Sequence, residues 1–311
     1  MKVAVIDMGT NTFHLLIVET VKDEFTVIHK ERVAVKIGEK GINKGMITEE
    51  ASVRAINTML DFKKIIDSFS IKKVFATATS AIRSASNGNE LVAKIKAQTG
   101  IEPRIITGLQ EAEYIYYGVT KAIKIGTQPG LIMDIGGGSI EFIIGTDDQL
   151  LWKQSFEIGG QRLMELFHQN DPIQAPEIDA LIKYLQNGLQ ELFNACDQYQ
   201  PKTLIGSSGT FDTLSDIYRE ASSIKLEGEH AELPLTMEAF HEIYQDILKK
   251  NRDERLAIPG MIPLRVDMIV VASILIQFIL DTCTLNQIRI SAYALKEGVL
   301  LNTIHSLNTD L

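Results

Sequence analysis

Apolar residues run without a break through positions 3–6, stop at Asp7-Met8-Gly9-Thr10-Asn11-Thr12, and resume through 13–18. Two short apolar runs around a turn of small and polar residues predict a β-hairpin. The pattern recurs in mid-chain as residues 131–133, then Asp134-Ile135-Gly136-Gly137-Gly138-Ser139, then 140–144. Between the copies, residues 25–35, 73–78 and 102–106 read as strands and 37–46 as a glycine-punctuated loop. Helical spacing predicts a helix capped by Thr48 and running through 70, with Val53, Ile56, Met59, Leu60, Phe62 and Ile66 on its inner side. Further helices are predicted at 84–99 and from Gly108 to about 125. Gln128-Pro129-Gly130 breaks the chain before the second hairpin. Beyond that hairpin, strands are predicted at 150–155, 203–205 and 287–291, with helices at 236–249, at 264–281 and from Leu295. Residues 222–235 are polar and read as a solvated surface loop.

Strands that alternate with helices indicate an α/β protein. Glycine admits positive φ and close backbone approach, so both turns can aim amide N–H groups at an anion. A third small-residue turn follows at Gly206-Ser207-Ser208-Gly209-Thr210. Two α/β halves with matching hairpins, opposed across a cleft, resemble the actin-like (ribonuclease H-like, ASKHA) phosphotransferase fold. The expected organisation is an N-terminal domain over 1–127 and a C-terminal domain over 128–298, with a terminal helix, 299–311, packing back on the first.

A chain of 311 residues is long enough for two such domains. Its net charge of −9 argues against DNA or RNA as a partner, so a bound polyanion would need local Lys and Arg or a recruited cation. The longest apolar stretch, 268–280, falls short of the roughly 18 residues of a membrane span and reads as a buried helix. Cys196 and Cys283 lack metal-site spacing and read as buried reduced thiols. Met1-Lys2 leads straight into an apolar strand, unlike a signal peptide, and a cytoplasmic location is expected. The apolar C-terminal helices offer a surface on which a homodimer could form.

Cleavage of a phosphoanhydride needs a positioned water, a base for it, positive charge on the phosphoryl oxygens and usually a divalent cation. Asp7 and Asp134 end strands and enter tight turns, placing either to hold a metal or to bond the turn backbone. Glu141 sits between Ile140 and Phe142 and aligns with His14 of the first copy; it reads as a metal ligand or a solvated strand residue. Glu111 and Glu113 open a helix and are equally placed to act as a base. Arg83 follows a strand, either to clamp phosphate or as a surface cation.

Taken together these segments resemble the Ppx/GppA family of exopolyphosphatases and guanosine pentaphosphate phosphohydrolases, in a short two-domain form. The resemblance runs through residues 4–14, 76–83, 107–119 with its Gly-x-x-Glu-Ala core, and 134–141. It continues through Ile158-Gly159-Gly160-Gln161-Arg162-Leu163, 206–210, Ile258-Pro259-Gly260, Arg265-Val266-Asp267 and 291–298. It implies a catalytic set of Glu111 as general base, Arg83 on phosphate and Glu141, with Asp134, Glu141 and Asp7 working with Mg²⁺ (or Mn²⁺). It implies that Gly9, Thr10, Asn11, Thr12, Gly136, Gly137, Gly138, Ser139, Gly206, Gly209 and Thr210 hold phosphate. The implied reaction releases orthophosphate from polyphosphate, converts pppGpp to ppGpp, or does both. Two alternatives are an actin-like small-molecule kinase and a weakly catalytic polyphosphate or alarmone sensor. Glu113 stands where the family commonly has arginine, which puts a long basic track in question. The short form, ending at Leu311, predicts low processivity on long polymer.

Overall fold

The computed structural model describes residues 1–21, 24–228 and 230–309. The apolar run at the N-terminus forms β1 (Lys2–Met8), the centre of a five-stranded sheet. It pairs antiparallel with β2 (Thr12–Val21), which pairs antiparallel with β3 (Glu24–Ala34). On its other side it runs parallel to β4 (Lys73–Ala78), which is joined by β5 (Arg104–Ile105). The mid-chain copy rebuilds this order. β6 (Gly130–Ile135) is antiparallel to β7 (Ile140–Gly145), which is antiparallel to β8 (Leu150–Phe156). β6 is also parallel to β9 (Thr203–Ser207). A short strand, β10 (Glu232–Leu233), edges the second sheet beyond β11 (Gln287–Ser291). The strand order β3-β2-β1-β4-β5 therefore recurs as β8-β7-β6-β9-β11, with the same strand senses. This is the actin-like, ribonuclease H-like fold in two copies, which face each other across a cleft.

Helices cover the sheets. In the first half they are α1 (Glu49–Ser68), α2 (Ser80–Ser84), α3 (Gly88–Thr99) and α4 (Gly108–Ala122). In the second they are α5 (Gly160–Phe167), α6 (Ala175–Gly188), α7 (Gln190–Tyr199), α8 (Ser208–Ala221), α9 (Met237–Lys249), α10 (Arg252–Leu256) and α11 (Met268–Thr282), while α12 (Leu295–Thr309) packs back on α4 and β1 of the first half. Thr48 caps α1 by accepting from the Ala51 amide, and Ala51, Ala55, Met59, Phe62 and Ile66 form the buried stripe. Val53, expected inward, is exposed because it lies off that three- and four-residue spacing.

Each half has its own apolar core, and a third cluster joins them. There, Ile115 and Val119 of α4 and Val299 and Leu300 of α12 meet Val3 and Val5 of β1 and Ile132 and Ile205 of the second sheet. The two helices cross at backbone distance: a Cβ on Gly298 would lie 1.7 Å from the Tyr114 carbonyl oxygen, and one on Gly118 2.2 Å from that of Ala294. Only glycine fits at either position. Residues 310–311 of the predicted terminal helix lie outside the described residues.

Three expectations need correction. The helix predicted over 84–99 starts later, at Gly88, and a separate short helix, α2, ends at Ser84; between them Asn87 turns aside to bond the Ile47 backbone through both ends of its amide. The segment 222–235 is not all solvated loop: Glu232 pairs with Ser291 in β10 and forms an ion pair with Arg289 (Glu229 lies outside the described residues). α11 provides no outer apolar surface for a partner, since it buries twelve of its fifteen residues in the second core. Cys196 and Cys283 are free and buried. Among the described residues no helix is long and apolar enough to cross a membrane.

Candidate active site

The two central strands run into the cleft and deliver Asp7 and Asp134 to its floor. Directly across each hairpin, on the same face as the aspartate, stand His14 and Glu141. The turns that follow meet in mid-cleft. A Cβ on Gly137 would lie 2.4 Å from Asn11 Nδ2, and one on Gly138 2.5 Å from Ser80 Oγ and 2.8 Å from Thr10 Oγ1.

The tri-glycine turn is clamped from behind by the start of α5. The amides of Gly159, Gly160 and Gln161 donate to the carbonyls of Gly138, Gly136 and Gly137 at 2.9–3.1 Å. In a trans peptide the N–H opposes the C=O, so the amides of Gly137, Gly138 and Ser139 are turned away from α5. They form a row of backbone donors on the side of the turn away from α5, the arrangement that receives phosphoryl oxygens.

Glu111 enters from the first turn of α4. Thr107 and Gln110 cap that helix reciprocally, and Gly108 lets its start approach β8, where a Cβ would lie 2.4 Å from Ser155 Cβ. The Glu111 side chain is buried and takes a 2.7 Å bond from Arg83 Nη1. Burial pushes its carboxyl up, Arg83 draws it back, and it settles at about 7. Glu113 points elsewhere: it bonds Lys153 and accepts from the Tyr117 hydroxyl at 2.8 Å. Geometry thus separates the two acids that the sequence left equal, and Lys153 offsets the charge brought by Glu113.

The floor is rich in buried carboxylates. Burial, then repulsion from Glu111, pushes Asp7 up to about 8, although Lys296 opposes this. Burial also raises Asp134, against bonds donated to its Oδ2 by Ser208 at 2.6 Å and Ser207 at 2.8 Å. Asp212 rises to about 6 by burial, opposed by Lys296 and Arg265. Burial and then Lys296, Arg32 and Arg265 hold His14 well below the usual histidine range, so it is neutral. Arg265 is pulled down to about 10 by burial and then by Arg32, and its Nε is buried without a partner. Gly209 makes room for it: a Cβ there would lie 2.3 Å from Arg265 Nη2.

Asp7, Gly9, Thr10, Asn11, Thr12, Glu111, Asp134, Gly136, Gly137, Gly138, Ser139 and Gly209 all line the cleft. Four expected site residues do not. Glu141 is fully buried behind Ser139 and accepts from the Ser139 and Ser155 hydroxyls, so it is not a solvated strand residue. Arg83 stands at the edge, bound to Glu111 and Glu157, so it is not a free surface cation. Thr210 is buried in α8. Gly206 is corrected from a phosphate contact to a packing position: it pairs inside the sheet with Met133 and Ile290, and a Cβ would strike the Phe211 ring at 2.1 Å. Arg32, Asp212, Arg265 and Lys296 line the cleft without having been assigned a site role. Lys and Arg in the late segments of an acidic chain were the available signal for two of them.

A divalent cation fits this floor. Asp7 Oδ1 is buried and has no hydrogen-bond partner, and Asp134 is near enough to add like-charge repulsion. Among the described residues no group of three Asp, Glu, His or Cys side chains forms a cage. Mg²⁺ ordinarily takes one or two carboxylates and completes its shell with water and substrate phosphate, so a pair of aspartates suffices.

Residues 16–307 match the Ppx/GppA phosphatase family. The chain belongs to that family. A crystal structure of an exopolyphosphatase from Cytophaga hutchinsonii is 44% identical and superposes with a TM-score of 0.95, covering 98% of each chain. The Aquifex aeolicus Ppx/GppA family member is 25% identical over 99% of both chains, with a TM-score of 0.80. Exopolyphosphatase 1 of Mycobacterium leprae is 25% identical, covering 98% of this chain and 90% of its own. In this Ppx/GppA chain the cleft encloses a cavity of about 120 Å³.

Proposed function

We propose that this chain is a Mg²⁺-dependent hydrolase that releases terminal orthophosphate from inorganic polyphosphate. pppGpp is proposed as a second substrate, because it presents the same kind of terminal phosphoryl group. The observation that carries the reading is Glu111: a carboxylate at about 7, aimed by Arg83 into a cleft lined by glycine and hydroxyl turns from both halves. A base of that pKa is half in its active form near neutrality and strong enough to take a proton.

Glu111 accepts a proton as the water oxygen forms its bond to the terminal phosphorus. The bond from that phosphorus to the bridging oxygen breaks, and the shortened chain leaves with the electron pair. The Gly137, Gly138 and Ser139 amides, Thr10 and the Arg265 cation receive the charge on the phosphoryl oxygens. Asp7 and Asp134 would hold Mg²⁺, which neutralises phosphate charge when bound. His14, being neutral, offers one N–H donor and one acceptor nitrogen to the cleft.

The test is orthophosphate release measured side by side on tripolyphosphate, long polyphosphate, pppGpp and ATP, with Mg²⁺ and with chelator. Acceptor-independent release from the first three, lost in chelator, supports the reading. ADP formation that requires an acceptor would make the chain a kinase. Tight binding of polyphosphate with no turnover would make it a sensor.

A further inference from the structure

Glu157 lies in the short link between β8 and α5, and its carboxylate crosses from the second half to the first. Its Oε1 accepts from Arg83 Nη2 at 2.9 Å and Nε at 3.3 Å, and its Oε2 accepts from Ser80 Oγ at 2.5 Å and Arg162 Nη2 at 3.2 Å. Two guanidinium groups and a hydroxyl thus converge on one anion at the rim of the cleft. The remaining atoms of Arg162 are fixed: Nε donates to the Gly138 carbonyl and Nη1 to the Ile42 carbonyl, each at 2.8 Å. Arg83 is fixed likewise by Glu111 and the Ile106 carbonyl. The cluster is therefore a preformed receptor for an oxyanion, of the forked kind that arginine provides for carboxylate and phosphate alike. The Glu157 side chain remains 43% exposed while its two arginine partners are 17% and 13% exposed, so the anion is the part that can leave.

We propose that Ser80, Arg83 and Arg162 form a second phosphate subsite, for a non-terminal phosphoryl group of the substrate chain, and that Glu157 occupies it as an internal stand-in until the chain displaces it. The inference rests on the hydrolase reading and extends it to the second position of the substrate. A non-terminal phosphoryl carries one negative charge, as Glu157 does, so the exchange leaves the balance with Arg83, Arg162 and Glu111 unchanged. A terminal phosphoryl or free orthophosphate carries more charge and has its own place beside the glycine turns. Ser80 lines the cleft next to Gly138, which puts the subsite beside the terminal position. The halves stay joined without Glu157, through Asn43 to Glu165 at 3.0 Å and Arg162 to Ser84 at 2.9 Å, so removing its charge frees the subsite without opening the cleft.

The test compares the wild type with Glu157→Gln, which keeps shape and removes charge. The readouts are KM and kcat for tripolyphosphate, inhibition by orthophosphate, and calorimetric binding of tripolyphosphate in chelator. Loss of a half-exposed competing ion pair is expected to lower KM and the dissociation constant roughly threefold to fivefold, with orthophosphate inhibition unchanged. Thermal melting confirms that the variant is folded. A KM and dissociation constant that stay equal or rise in Glu157→Gln, in a folded variant whose parent cleaves tripolyphosphate, overturn the subsite alone. A wild type that neither binds nor cleaves tripolyphosphate overturns the hydrolase reading and the subsite with it.

Discussion

Arg83 Nη1 stands 2.7 Å from Glu111 Oε2, joining the end of α2 to the first turn of α4. Burial favours the neutral acid and the guanidinium favours the carboxylate, and Glu111 at about 7 is the balance between them. A base works only when deprotonated. The rate, measured as kcat/KM for tripolyphosphate, is therefore expected to climb with pH through about 7 and level off above it. Arg83→Gln removes the opposing charge, so the rising limb should move to higher pH. An unmoved limb would assign it to another group.

Replacing Glu111 with Gln keeps the size of the side chain and its reach toward Arg83 but removes the proton acceptor. Turnover is expected to fall roughly 10²–10⁴-fold while tripolyphosphate still binds. Phosphate release and calorimetry on the same preparation check both halves of that statement. Full activity in a folded Glu111→Gln protein would remove Glu111 from the mechanism.

Much of this arrangement is legible in the sequence, for a physical reason. The hairpins at Asp7 and Asp134 announce themselves because a strand end, a carboxylate and a small-residue turn are all local features. The duplicated strand order follows from them. The roles of Glu111 and Glu113 are not local: they differ because Arg83 comes from one side and Lys153 from the other. Gly206 misleads for a different reason: its demand for space comes from Phe211, five residues on, and a small-residue turn looks the same whether it makes room for a side chain or for a ligand. Glu157 is invisible beforehand because its partners, Ser80, Arg83 and Arg162, meet only when the halves close.

Asp7 makes stability depend on pH. Its carboxyl titrates near 3.8 when the chain is unfolded and near 8 when folded, so between about pH 4 and 8 the folded state holds more protons. The stability contributed by Asp7 without metal is then fully present below that window, falls as pH rises through it, and is lost above about 8. Glu111 adds to the same slope up to about 7. Asp7→Asn should flatten the curve and raise melting near pH 8 by a few degrees, at roughly 2–4 °C per kcal/mol. It should also weaken the stabilisation produced by added Mg²⁺. Melting curves across pH, in chelator and in Mg²⁺, measure both effects. An equal Mg²⁺ response in wild type and Asp7→Asn would place the cation elsewhere.

Gly138 and Gly206 both belong to small-residue turns, yet alanine should affect them in opposite ways. At Gly138 the new methyl would meet Ser80 Oγ at 2.5 Å and Thr10 Oγ1 at 2.8 Å, atoms that belong to the other half of the molecule. Slight parting of the halves relieves that contact, so folding is preserved while the cleft fails to close. A misplacement of about 1 Å at a reacting centre can cost on the order of 10²-fold in rate, and kcat for Gly138→Ala should fall by about that amount with little change in melting. At Gly206 the methyl would meet the Phe211 ring at 2.1 Å inside a single sheet-and-helix layer, where nothing can part. Gly206→Ala should lose about 1–3 kcal/mol of stability through overpacking, while the folded fraction keeps its turnover. Denaturation midpoints and kcat per folded molecule separate the two cases. If Gly206→Ala lost activity at unchanged stability, Gly206 would be a phosphate contact after all.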